Sequence, residues 1–172
     1  MTCNVTFALR PVEAREKDLL DDLLQPYLAE LSAFSDDMTN VNGRFEYPYL
    51  EHYWRDPSRF AFFIESDQGV CGFALVRTLL DPENNQHCME LAEIYVCPWC
   101  REQGAATGIV MELFRRWPGP WQVGVLPRNQ SAYRFWQNLL KKADSDLIET
   151  WPSAAEGGYI LFRLTPAETL FV

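Results

Sequence analysis

The stretch from Glu90 to Trp117 constrains this chain most. An apolar strand, Leu91-Ala-Glu-Ile-Tyr-Val96, leads through a short loop into Arg101-Glu-Gln-Gly104-Ala-Ala106 and on into an amphipathic helix. A helix start carries unpaired backbone N–H groups and the positive end of the macrodipole, so an anion can sit there without a dedicated cationic side chain. Gly104, with the methyl-sized Ala105 and Ala106, lets phosphate oxygens approach the backbone closely. A pyrophosphate suits such a turn; the plainer alternative is a glycine-initiated helix with an empty start. No Gly-Lys-Ser/Thr follows, so this is not a Walker loop, and the three-glycine dinucleotide fingerprint is absent.

Around that stretch, strand-like and helix-like segments interleave. Asn4 to Arg10, Phe60 to Glu65, Val70 to Leu79, Cys88 to Val96, Trp121 to Leu126, Leu147 to Trp151 and Tyr159 to Leu164 are β-branched or aromatic and bounded by turn residues. Asp67-Gln-Gly69 and Asp81 to Asn85 read as hairpin turns, so the second to fourth strands form an antiparallel meander. Leu20, Leu23, Leu24, Tyr27, Leu28 and Leu31 form one buried helical stripe, bent where Pro26 removes a donor. Tyr47 to Arg55 reads as a second short helix. Ala106, Ile109, Val110, Leu113 and Phe114 line a third, and Ala132, Phe135, Trp136, Leu139 and Leu140 a fourth. The pattern predicts an α/β or α+β sandwich with helices on both faces of a mixed sheet, in one domain over residues 1–172.

Arg-x-x-Gly-x-Ala after Tyr95-Val96, followed by Asn129-x-x-Ala132-x-x-Phe135 on a later helix, resembles the GNAT superfamily of acyl-CoA-dependent N-acetyltransferases. The resemblance covers about Val5 to Thr165 and implies a mixed, mostly antiparallel central sheet of about seven strands. It implies acetyl-CoA as cosubstrate, with no metal. Gln103, Gly104, Ala105, Ala106 and Thr107 would supply amides to the pyrophosphate beside Arg101. The backbone of Tyr95 and Val96 would hold the pantetheine arm and polarise the thioester carbonyl, and Asn129 would serve as N-cap, as cofactor ligand or as both.

Acetyl transfer to an amine needs a base, donors for the oxyanion, and sometimes an acid for the thiolate. Glu93 is the candidate base. Strand alternation puts Leu91, Glu93 and Tyr95 on one face and Ala92, Ile94 and Val96 on the other, so its carboxylate stands among apolar neighbours that raise its pKa. The competing reading is a solvated or arginine-paired edge carboxylate. Where the family has a tyrosine that protonates the thiolate, this chain has Trp136, which donates a hydrogen bond but is no practical acid. Tyr133, one turn earlier, is the substitute acid expected, although a thiolate with a pKa of about 8.5 can leave with water's help alone. Trp136 also motivates a rival reading, a non-catalytic acyl-CoA sensor.

The acceptor is less defined. With 15 basic and 24 acidic residues the net charge is −9, which argues against nucleic acid or an anionic membrane as partner. No apolar run approaches the ~18 residues of a membrane span and no leader is evident, so a cytoplasmic protein is expected, as monomer or homodimer. Asp36, Asp37, Glu46 and Glu51 lie among Phe34, Phe45, Tyr47, Tyr49, Tyr53 and Trp54, which suits a cationic small-molecule or peptide amine or a solvated rim over core aromatics. Five cysteines at irregular positions form no disulfide framework. Cys97-Pro-Trp-Cys100 looks like a redox motif, but the helix begins several residues too late for it. A zinc site adding His87 and Cys88 would need to span the ~25 Å length of one strand.

Overall fold

The computed structural model describes residues 5–36, 40–80, 85–143, 146–152 and 158–168. Its elements in chain order are β1 (Ala8–Pro11), α1 (Lys17–Ser32), β2 (Asn40–Val41), β3 (Arg44–Phe45), β4 (Arg59–Ser66), β5 (Gly69–Leu80), β6 (His87–Val96), α2 (Ala105–Arg116), β7 (Trp121–Val125), α3 (Gln130–Ala143), β8 (Ile148–Thr150) and β9 (Ile160–Leu164). Seven strands form one mixed sheet in the order β1-β4-β5-β6-β7-β9-β8. Every pairing is antiparallel except β6 with β7.

Two apolar faces of the sheet make two cores. Leu20, Leu24 and Leu28 of α1 cover one, against Phe63, Phe73, Leu75 and Tyr95. Helices α2 and α3 cover the other, where Ile109, Leu113 and Leu140 pack against Ile64, Val76, Val123 and Phe162. The leucine stripe of α1 therefore sits where its periodicity put it, and the helix runs through Pro26.

Three local features differ from the sequence reading. Tyr47 to Arg55 contains only a 3-10 turn, Leu50–Trp54, in place of a helix. The first strand begins at Ala8. A small hairpin, β2–β3, closes over Asn42-Gly43, both with positive φ (52° and 79°), the backbone a tight two-residue turn requires.

Two irregularities of β6 create the site. Its register against β5 shifts between Leu75 and Val76, so that Leu75 faces Glu93 while Val76 faces Leu91, and Ala92 is the extra residue of a bulge. The bulge turns Leu91 to the α2–α3 core, with Met89 and Val96, while Glu93 and Tyr95 stay on the α1 face. Simple alternation is overturned at Leu91 for that reason. The parallel pairing of β6 with β7 covers only Met89 to Leu91. Beyond it the strands part, and the edge of β6 is left without a strand partner among the described residues.

Candidate active site

Tight backbone turns build the loop from β6 to α2. Cys97 N donates to Cys71 O at 2.8 Å, fixing the direction in which the chain leaves the sheet. Pro98–Cys100 make a single 3-10 turn, and Glu102 and Gly104 both take left-handed backbone, φ 63° and 80°. Gly104 is needed for that φ and not for space, since nothing lies within 4 Å of where its Cβ would stand. The first helical bond of α2 runs from Gly108 N to Gly104 O at 2.9 Å. The N–H groups of Ala105, Ala106 and Thr107 consequently have no helical acceptor.

These amides open on a cavity of about 720 Å³. Tyr27, Glu30 and Phe34 wall it from α1 and the turn after it, Ile94 to Val96 from β6, and Asn129, Ala132, Phe135 and Trp136 from the start of α3. The Cys97–Cys71 bond sets the alternation along the β6 edge. Tyr95 and Glu93 exchange backbone bonds with Phe73 and Leu75, and the N–H and C=O groups of Ile94 and Val96 point to the free edge. Val96 O accepts from Arg101 Nε at 2.8 Å. An extended arm laid on this edge would thus meet the amides of Ile94 and Val96. The backbone of Tyr95, which the sequence reading expected on this edge, is instead paired with β5. The Tyr95 ring is instead buried against Phe73 (5.8 Å) and Tyr27 (5.9 Å), with the Arg101 guanidinium 5.5 Å from its centre.

The other expected cofactor residues fall at or beside the cavity. Arg101 is held by both carboxylate oxygens of Glu30, at 2.7 and 2.9 Å. The Gln103 side chain turns away to donate to Trp99 O (3.0 Å), leaving only its backbone for this purpose. Asn129 Oδ1 accepts from Ala132 N at 3.0 Å and caps α3, and the residue lines the cavity. Trp136 is buried edge-on to Phe135.

Tyr133 lies elsewhere. Its hydroxyl donates to Glu149 Oε1 (2.8 Å) and accepts from Gln137 Nε2 (2.7 Å), and its ring stacks on Phe162. Burial and the Glu149 carboxylate hold its pKa above the ordinary phenol value. Three residues along a helix turn a side chain about 60° from its neighbour's direction, and here that is enough to aim Tyr133 at β8 and β9 rather than at the cavity. The expectation that it reaches the same region as Trp136 is corrected.

Glu93 is half-buried on the α1 face. Tyr27 donates its hydroxyl proton to Oε2 and Tyr47 donates to Oε1 at 3.2 Å. Burial pushes the carboxyl up to about 7; the two tyrosine bonds pull it down and Glu90 adds to the rise. Tyr27 itself is pushed well above the ordinary phenol range by burial and by Glu93, so it stays protonated. Glu93 does not line the cavity, whereas Tyr27 does. Neither tyrosine was singled out from the sequence as a partner of Glu93, because the contacts join residues 66 and 46 positions apart.

Of the carboxylates expected to greet a cation, Asp36 pairs with Arg128 (3.4 Å) and Glu51 with Lys17 and Arg55. Glu46 is exposed, and Asp37 lies outside the described residues. The Cys97 and Cys100 thiols are free. Burial raises the Cys97 pKa and pushes Cys71 up to about 12, the reverse of what a redox thiol needs. Among the described residues no group of three or more His, Cys, Asp or Glu could hold a metal ion, and no helix is long and apolar enough to cross a membrane.

The fold recurs in solved structures at low identity. An acetyltransferase of the GNAT family from Streptococcus agalactiae superposes with a TM-score of 0.70 at 15% identity, over 94% of this chain and 96% of that one. Spermidine N-acetyltransferase from Vibrio cholerae, in complex with CoA and spermine, gives 0.64 at 12% identity over 95% and 98%. Arabidopsis thaliana NAA60, in complex with a bisubstrate analogue, gives 0.62 at 11% identity over 93% and 98%. No curated protein sequence matches the chain significantly. Residues 27–140, which hold the bulged strand, the α2 turn and most of α3, match the sequence model of the acetyltransferase (GNAT) family, and the chain belongs to that family.

Proposed function

We propose that this protein moves an acetyl group from acetyl-CoA to the primary amine of a small-molecule or peptide acceptor, by direct attack with donor and acceptor bound together. One observation carries the reading. A single cavity joins the unpartnered amides of α2 to the free edge of β6, and Tyr27 links its wall to a carboxyl whose pKa stands near neutrality.

The residues present fit the cosubstrate. A pyrophosphate suits the amides of Gln103, Gly104, Ala105, Ala106 and Thr107 at the positive end of α2, with Arg101 alongside. Ile94 and Val96 offer amides to a pantetheine arm, Asn129 offers its NH₂, and Trp136 an apolar wall. Bound acetyl-CoA supplies an acetyl thioester. Glu93 then takes the proton of the incoming ammonium through the Tyr27 hydroxyl or a water, since Tyr27 stands between it and the cavity. A carboxyl with a pKa of about 7 is ionised in about half of the molecules at pH 7 and still basic enough to accept that proton. With Tyr133 turned aside, thiolate departure rests on water and the indole N–H.

The displacement of Tyr133 favours a second reading, an acyl-CoA sensor without turnover. Thiol release from acetyl-CoA in the presence of polyamines, aminoglycosides, amino acids and peptides separates them. Amine-dependent release supports the transferase. Acetyl-CoA binding with no release above the amine-free rate overturns it in favour of the sensor.

A further inference from the structure

The face of the sheet that carries α1 is only partly covered. No residue of β7 or β9 belongs to the core under that helix. On this open part Arg77, Glu90, Gln122 and Arg163 occupy directly opposed positions on four neighbouring strands, β5, β6, β7 and β9. Their flanking residues Val76, Leu91, Val123 and Phe162 face the other core, so all four side chains share the α1 face.

Hydrogen bonds run the length of the row. Arg77 Nε donates to Glu90 Oε2, Gln122 Nε2 donates to Glu90 Oε1 at 3.1 Å, and Arg163 Nε donates to Gln122 Oε1 at 3.2 Å. Glu90 is the only buried charged residue among those described, and its charge is matched by Arg77. Gln122 is oriented by both neighbours, its oxygen towards Arg163. The row therefore ends in a guanidinium that has no carboxylate partner among the described residues, held outward at the surface.

Glu93 stands on the same face, one step beyond Glu90 across the bulge. Tyr27 and Tyr47 close one side of it. On the other side Gly124 presents no side chain, and the half-exposed Tyr159 ring lies against it, 3.5 Å from where a Cβ would stand. The surface beside the base thus carries tyrosines, and farther along the same face stands Arg163, which has no carboxylate partner among the described residues. Arg163 lies two strand spacings, about 10 Å, from Glu90, and Glu93 stands farther along β6, opposite Leu75 where Glu90 is opposite Arg77.

We infer that the acceptor carries a carboxylate as well as its amine, that is, an amino acid, and that Arg163 binds this carboxylate while the amine is presented to the Tyr27–Glu93 pair. The inference rests on the acceptor-side reading above and makes it narrower. Arg suits the task because its fork can meet both carboxylate oxygens while Nε keeps its bond to Gln122.

The test measures both binding and turnover. Protein loaded with CoA is titrated calorimetrically with the protein amino acids and γ-aminobutyrate, with their carboxamides, and with spermidine and tyramine as amines lacking a carboxylate; acetyl transfer to the same compounds is then measured. At least one acid should exceed its own amide tenfold or more in affinity and in kcat/KM. Arg163→Gln should abolish that preference and Arg163→Lys should restore part of it. Acid binding that depends on Arg163 without any turnover would leave the carboxylate site standing but overturn its role in binding an acceptor, together with the transferase reading. Turnover with no preference for the acid, or a preference untouched by Arg163→Gln, would overturn the inference and leave the transferase reading intact. Failure of every acid to bind would overturn it as well.

Discussion

At the scale of single residues, the proposed chemistry depends on how Glu93 is solvated. A buried carboxyl left alone would rise further; the Tyr27 and Tyr47 hydroxyls stabilise its anion and bring it back to about 7. Tyr27→Phe removes one of those donors and keeps the ring against Phe73. We expect the midpoint of the ascending limb of kcat/KM against pH to move to higher pH, and steady-state rates across pH 5.5 to 9 measure it. An unmoved limb would mean that Tyr27 does not support the base. Glu93 was legible as a candidate because a carboxylate in an apolar strand is costly without a reason. Its tyrosine partners were not, since Tyr27 falls within a leucine stripe and nothing local separates a core phenol from one that reaches across to another element.

At the scale of elements, the proposed function follows from one strand losing its neighbours. The bulge at Ala92 and the short pairing with β7 free the β6 edge just before the α2 turn, so both halves of the site proposed for a long cosubstrate come from adjacent chain. Gly104 tests the turn. Asparagine and aspartate both tolerate its φ of 80° and are equal in size, so Gly104→Asn and Gly104→Asp differ only in charge. Calorimetry should find acetyl-CoA binding at least tenfold weaker for the aspartate variant than for the asparagine one; equal affinities would contradict a pyrophosphate at this place. The strand, turn and helix were readable from Gly104 and the apolar periodicity. The bulge was not: Ala92 carries no sign of being unpaired, and the shift in register is decided by β5 and the two cores, which is why Leu91 was put on the wrong face.

At the scale of the whole molecule, the net charge of −9 says nothing of local order such as the row from Arg77 to Arg163, which holds two arginines and one glutamate. Global composition has no access to such cross-strand order. The raised Glu93 pKa also bears on stability. Below about pH 4 the carboxyl is protonated folded or unfolded and makes no difference. As pH rises through the window from 4.5 to about 7 the unfolded chain releases the proton first, and above it the folded state is destabilised by roughly 3 kcal/mol. Glu93→Gln should therefore resist urea better than wild type at pH 8, by about 1–3 kcal/mol, and match it near pH 4. The same variant gives the most direct test of the mechanism: kcat/KM for an accepted amine, followed against pH in wild type and Glu93→Gln. The account predicts a wild-type rate that climbs with a midpoint near 7, and a variant that loses this limb and about 10²-fold or more in rate. A variant within twofold of wild type, with the same limb, would show that the base lies elsewhere.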